Sequence, residues 1–144
     1  MAETMARARA PERQASERLL RMTAAVFAVA VVVHGADHLR RGIDASTELV
    51  RGAGALQFIA GAIAVVLVFR GHRSAPVWAA SVGLASAVGF AAAHLLPHWS
   101  AFSDAYTGSV VAPHVTAFSW FTALFEIAAD LAFGIAGLTA VRAR

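Results

Sequence analysis

Two runs, GAGALQFIAGAIAVVLVF at 52–69 and SAPVWAASVGLASAVGFAAA at 74–93, decide the fold: neither contains a charged side chain. A helix that crosses a bilayer core of ~30 Å needs about 20 residues. In hydrocarbon a helix also satisfies its own backbone polar groups. Both runs therefore read as membrane-spanning helices joined by a short hairpin.

Outward from this hairpin lie two further apolar stretches. The first covers 22–39, where His34 and Asp37 interrupt an otherwise clean run, and the last covers 115–141, broken by Glu126 and Asp130. Four spans follow, at about 22–39, 52–69, 75–96 and 115–141. They form one domain, 22–141, behind a basic tail, 1–21. The expected fold is all-α: an integral membrane antiparallel four-helix bundle.

Composition agrees. The chain has 144 residues, 58% hydrophobic and 15% charged, with a mean hydropathy of +0.63. A soluble domain of this size could not cover that much apolar surface with so few charges. The absence of Cys excludes disulfides, thiolate metal sites and thiol catalysis. All twelve basic residues are Arg, which reads as codon bias in a GC-rich genome. A pI near 11 raises nucleic acid as a partner. The Arg residues flank the hydrophobic runs, however, and form no basic face, so the partner is the lipid bilayer.

A basic region followed by an apolar run also describes a secretory signal peptide. No small-residue cleavage site follows Val33, and the chain continues into His34-Gly-Ala-Asp37-His38, which favours an uncleaved first span. Residues 11–21 suit a short interfacial helix that anchors the tail to anionic lipid. With the N-terminus inside, Arg7, Arg9, Arg13, Arg18, Arg21, Arg70, Arg73, Arg142 and Arg144 are cytoplasmic, and Arg40, Arg41 and Arg51 are outside. The positive-inside rule thus places both termini in the cytoplasm, as expected for a multi-pass protein of the bacterial plasma membrane.

That orientation gathers five of the six histidines, His34, His38, His94, His98 and His114, toward the extracytoplasmic side. Along span 1, His34, Asp37, His38 and Arg41 share one face over two turns. Imidazoles four residues apart can chelate one metal ion, and Asp37 could ligate it or orient a ring. Span 3 carries a small-residue stripe, Ala79, Gly83, Ala87 and Ala91, which permits close helix approach. His94 continues that stripe inward. Pro97 ends the helix near Leu96, so His98 belongs to the following loop. His34, His38, His94 and Asp37 are therefore the candidate metal site, for a transition-metal ion or a b-type haem with Arg40, Arg41 or Arg51 near the propionates.

Glu126 and Asp130 share one face of span 4, and such acids face a bundle interior. His34 lies about 9 Å below Arg40, and Glu126 about 18 Å past His114, near the midplane. This spacing places the two acids below the histidines, as candidate proton-relay groups or partners of Gln57. The loop 97–114 is the longest connection between spans. As a lid or rim it would bring His98, Asp104 and His114 toward the cluster. Structural alternatives stand beside each role. The histidines could make only interhelical hydrogen bonds, Asp37 could pair with Arg40 or Arg41 at the surface, and Glu126 could be held by Gln57 or the Trp120 indole. Trp78, Trp99, Tyr106 and Trp120 read as interfacial belts.

The segments HGADHLRRG (34–42), HLLPHWSAFSDAYTG (94–108) and EIAADLAFG (126–134) resemble small four-span membrane proteins from GC-rich actinobacterial genomes. The resemblance covers nearly all of residues 20–141. It implies an integral membrane protein and supplies no catalytic residue. No nucleophile motif or phosphate loop indicates an enzyme. Three functions remain open: a metal or haem site, a proton-coupled carrier or accessory subunit that works as a homo-oligomer or with a membrane partner, and a non-catalytic scaffold.

Overall fold

A computed structural model describes residues 2–144, with side chains from residue 11 onward. Among the described residues it is all-helical, in the order α1 (Ala2–Arg41), a 3-10 turn (Ile43–Ala45), α2 (Glu48–Phe69), α3 (Ala75–His94) and α4 (Ala117–Arg142). Four helices are long and apolar enough to cross a membrane. The basic tail and the first span are one continuous helix, so 11–21 is an extension of α1. From Pro11 to Arg41 α1 runs 31 residues, or about 46 Å. That exceeds a ~30 Å hydrocarbon core by several turns.

Local chemistry sets the helix ends. Thr47 Oγ1 accepts the Val50 N–H at 3.2 Å to open α2. Pro76 lies in the first turn of α3, where its missing N–H costs nothing. Thr116 and Ser119 form a reciprocal capping box at the start of α4. At the far end of α3, helix stops at His94, two residues short of the expected Leu96. The residue before a proline avoids the helical region, which shifts the boundary upstream of Pro97.

Apolar side chains gain little by associating when lipid surrounds them, so small residues and close backbones hold the bundle together. The expected stripe on α3 is buried at Ala79, Gly83 and Ala87. A Cβ on Gly83 would lie 2.5 Å from the Gly134 backbone nitrogen, and one on Gly137 would strike the Ala80 backbone. The α3–α4 contact therefore depends on the two glycines directly. We expect Gly83→Val to lower stability by about 2–3 kcal/mol, measured by unfolding in detergent, whereas Gly89→Ala, at an open position, changes it little. On the other side, Phe27 of α1 stacks on Phe133 of α4 with ring centroids 4.8 Å apart.

α2 is the loosest member. Its buried residues are Gly61, Ala64 and Val68, all in its second half. From Glu48 to Ala60 no residue is buried. The expected inward face of Ala53, Gln57, Ala60 and Ala64 is thus buried only at Ala64. The first half of α2 stands off from its neighbours and leaves a cavity on each side, of about 760 Å³ toward α3 and about 550 Å³ toward α1. Both cavities end at the histidines.

At the opposite end of the bundle, Arg13 donates to the backbone oxygens of Ala143 and Arg144. Arg144 in turn donates to the Arg73 carbonyl. The charged segment of α1 around Arg13, the α2–α3 turn and the end of α4 therefore lie together.

Candidate metal centre

α1 presents His34 and His38 one turn apart, and α3 ends on His94. His34 and His94 are buried, at 3% and 2% exposure, while His38 is half-buried. One nitrogen from each ring lies within 4.8 Å of the other two, so the three could hold a metal ion. His34 meets both other rings edge-on, with centroids 4.7 Å apart for His34–His38 and 5.0 Å for His34–His94, and the His38–His94 pair is tilted at 5.9 Å.

The hydrogen bonds fix which nitrogens carry the protons. His94 Nδ1 lies 3.0 Å from the Asp104 carbonyl oxygen, which can only accept, so Nδ1 carries the proton. The Thr122 hydroxyl already donates to the Ser119 carbonyl at 3.0 Å. His34 Nδ1, 3.3 Å from Thr122 Oγ1, must therefore donate to it. Both rings then expose an Nε2 lone pair. His38 Nε2 lies 3.1 Å from His34 Nε2, and its Nδ1 is 3.2 Å from Ser46 Oγ. Without an ion, His38 Nε2–H donates to His34 and Ser46 donates to Nδ1. With an ion, the His38 proton belongs on Nδ1, where Ser46 Oγ can accept it. Each imidazole thus has an oxygen partner on its outer nitrogen, as metal-bound imidazoles do. Tetrahedral ligands at ~2.0–2.1 Å from an ion lie about 3.3 Å apart, close to the separation already present between His34 and His38.

Thr122 is the partner whose loss is simplest to read. Thr122→Val keeps the shape and removes the acceptor for His34 Nδ1–H. We expect metal affinity to fall by about 10- to 100-fold, read by competition with a chromophoric chelator.

The loop 95–116 returns along the end of α3. Asp104 N–H donates to the Ala93 carbonyl at 3.0 Å, and Tyr106 N–H to the His94 carbonyl at 2.9 Å. This brings Asp104, 2% exposed, to the cluster. Its carboxylate is bidentate to Arg41, at 2.6 and 2.7 Å. Arg41 also donates to Tyr106 Oη at 3.1 Å and to the Pro113 carbonyl at 3.1 Å. Asp104 Oδ2 lies 3.6 Å from His94 Nδ1 and 4.0 Å from His38 Nε2. Arg41 takes both carboxylate oxygens, so the Asp104 side chain anchors the loop while its backbone carbonyl orients His94. The Tyr106 ring packs 4.6 Å from His94. Burial pushes its phenol well above the usual range, partly countered by the Arg41 guanidinium. It is a neutral hydroxyl at this site.

The structure separates the other expected residues. Asp37 is completely buried, not at the surface, and pairs with Arg40 at 2.8 Å. Its second oxygen has no partner, and it lies outside the three-histidine group. Arg40 also reaches the His114 carbonyl, Thr116 and Ser119, which ties α1 to the start of α4. His98 and His114 are exposed. Among the described residues, neither ring is hydrogen-bonded to the cluster, so of the three loop residues only Asp104 reaches it.

Glu126 differs from the depth that spacing suggests. Its Oε2 lies 4.0 Å from His34 Nδ1, beside the cluster. Residues 114–116 are not helical, and His114 has φ of +59°. Helix therefore makes only nine steps from Ala117 to Glu126, about 14 Å and not 18 Å. Gln57 Nε2 donates to Glu126 Oε1 at 3.5 Å, the pairing expected from their faces. Asp130, a turn further, is fully buried with both oxygens unpartnered.

Ser46, Thr122 and Tyr106 were not singled out from the sequence as parts of this site. For Thr122 a signal exists, because Ser119, Thr122, Glu126 and Asp130 make one polar stripe along α4. For Ser46 and Tyr106 none does, since their positions depend on how loops return. No family model, curated protein or solved structure matches the chain.

Proposed function

We propose that this protein is an antiparallel four-span bundle of the bacterial plasma membrane, with both termini cytoplasmic, that binds one transition-metal ion on the extracytoplasmic side. His34, His38 and His94 are its ligands, through Nε2. The observation that carries this reading is the convergence of three imidazoles whose outer nitrogens each meet an oxygen partner. Purely structural histidines need only one hydrogen bond apiece and no common focus. Three imidazoles with an accessible fourth position match zinc sites that bind water or a ligand, and imidazole also suits copper, iron and nickel.

Haem fits less well. Two axial imidazoles must stand on opposite faces of a macrocycle, whereas these rings crowd one another with centroids 4.7–5.9 Å apart. An ion requires far less movement. The arrangement of the ends supports the topology: Arg13, Arg73 and Arg144 gather at one end of the bundle, and the histidines lie at the other. The chain has no Cys, so single-cysteine variants test it cleanly. His72→Cys should react with a membrane-impermeant thiol reagent only after lysis, and Ser109→Cys in intact cells. Elemental analysis of the purified protein should find one metal ion per chain. Colourless, metal-free, folded protein that takes up no added zinc, copper, nickel or iron would overturn the metal reading.

A second reading has its own support. Glu126 Oε2 and both Asp130 oxygens are buried without partners, an expensive arrangement in a membrane unless it serves a purpose. The cavity between α1 and α2 leads from Ser46 and Arg51 past His34 to Glu126. A proton relay through Glu126 and Asp130, in a homo-oligomer or beside a membrane partner, would use that route. Proton flux in vesicles that disappears with Glu126→Gln and persists with His94→Ala would favour it over metal binding. Unchanged assembly and phenotype after His34→Ala plus His94→Ala would favour a scaffold.

A further inference from the structure

The larger cavity points to what meets the metal. It is a groove between α2 and α3 that runs from Val77 and Trp78 to His38 and His94. From Trp78 to His94 is about 24 Å along the helix, most of a ~30 Å hydrocarbon core. Its lining holds no charged side chain, and its two imidazoles lie together at one end. Small residues such as Ala53, Gly54, Ala85 and Gly89 make it deep, and the stand-off of α2 makes it open to the bilayer.

Volume decides what can occupy it. A helix about 10 Å across and 24 Å long fills roughly 1900 Å³, whereas the groove offers about 760 Å³. A partner helix would remain mostly outside it. That volume is within the ~300–1,000 Å³ range of small-ligand sites. An uncharged lining suits a hydrocarbon chain, and the imidazole end suits a polar head.

We propose that the groove takes an amphipathic, lipid-like molecule from the bilayer. Its single hydrocarbon chain lies between α2 and α3, and an oxygen-donor head reaches the open coordination position of the ion. This inference rests on the metal reading above. It adds the class of ligand: the site selects for a chain as well as a head, and the ligand enters sideways from the membrane. Bulk lipid could fill an apolar groove without preference, but only a head carried to the His38–His94 end would couple chain length to metal coordination.

The test uses the full-length protein loaded with Co²⁺, whose absorption reports a change of ligand. Hexadecanoyl hydroxamic acid supplies a chelating head on a long chain, and acetohydroxamic acid the head alone. A Cβ at Gly89 meets nothing within 4 Å, so Gly89→Phe fills the groove without a backbone clash. Val88, 71% exposed and outside the groove, provides the control Val88→Phe. Micelle partitioning is the same for all three proteins. We expect the long-chain probe to act at about tenfold lower concentration, or better, on the wild type and Val88→Phe than on Gly89→Phe. Acetohydroxamic acid should act equally on all. If Gly89→Phe fails to hold Co²⁺, Ala85→Phe replaces it.

Equal action of the long-chain probe on all three proteins, with Co²⁺ held normally, overturns the groove proposal and leaves the metal site standing. Failure of the wild type to hold Co²⁺ overturns the metal reading and this inference with it. A dimer that Gly89→Phe dissociates, with no chain-length effect, assigns the groove to a second copy of the chain and also overturns the proposal.

Discussion

Replacing His94 by alanine is expected to weaken transition-metal binding by about 100- to 1000-fold. Four-ligand zinc sites in small domains bind with roughly 10–16 kcal/mol in all, or about 2.5–4 kcal/mol for each ligand. His94 is the only one of the three clustered histidines on α3, so its loss leaves a pair from one helix. The effect should far exceed that of Thr122→Val, which removes an outer partner and keeps the nitrogen. His98→Ala and His114→Ala should leave affinity unchanged, because both rings are exposed and outside the group. Metal titration of these variants checks the order. Equal losses for His94 and His98 would show that the site is not the one described.

The second large effect concerns Asp104. Its bidentate pair with Arg41 is almost fully buried, with side chains 0% and 1% exposed. A buried ion pair adds modestly to stability compared with an apolar replacement, but removing one partner leaves an uncompensated charge. Asp104→Leu should therefore destabilise the protein by about 3–5 kcal/mol, and the double variant Arg41→Met, Asp104→Leu should recover most of that loss. Unfolding in detergent measures both. The single variant should also weaken metal binding, since the Asp104 carbonyl that holds His94 Nδ1 rides on the same loop. Near-equal stability of the single and double variants would mean that Arg41 finds water or lipid phosphate instead.

Residues 52–69 and 74–93 make the four-helix count legible because lipid leaves the backbone no alternative. The inward turn of His94 is legible for a similar reason: helical phase carries the Ala79–Gly83–Ala87 stripe onto it. His34 and His38 follow from a spacing of four. The role of Asp104 is much less visible. It lies ten residues past a helix end, and only the tertiary return of the loop shows that it meets Arg41 and not solvent. Glu126 shows how a boundary error propagates. Residues 114–116 are not helical, so helical rise counted from His114 misplaces a carboxylate that lies 4.0 Å from His34. The stand-off of α2 is invisible in its sequence, because an apolar helix face looks the same whether a neighbouring helix or lipid covers it. That ambiguity hid the groove.

X-ray absorption at the zinc edge of the purified, zinc-loaded protein measures directly whether three imidazoles share one ion. The expected shell is three imidazole nitrogens at ~2.0–2.1 Å with one further light atom, falling to two imidazoles in His94→Ala. A wild-type shell with fewer than two imidazoles, or one that His94→Ala leaves unaltered, would contradict the shared site.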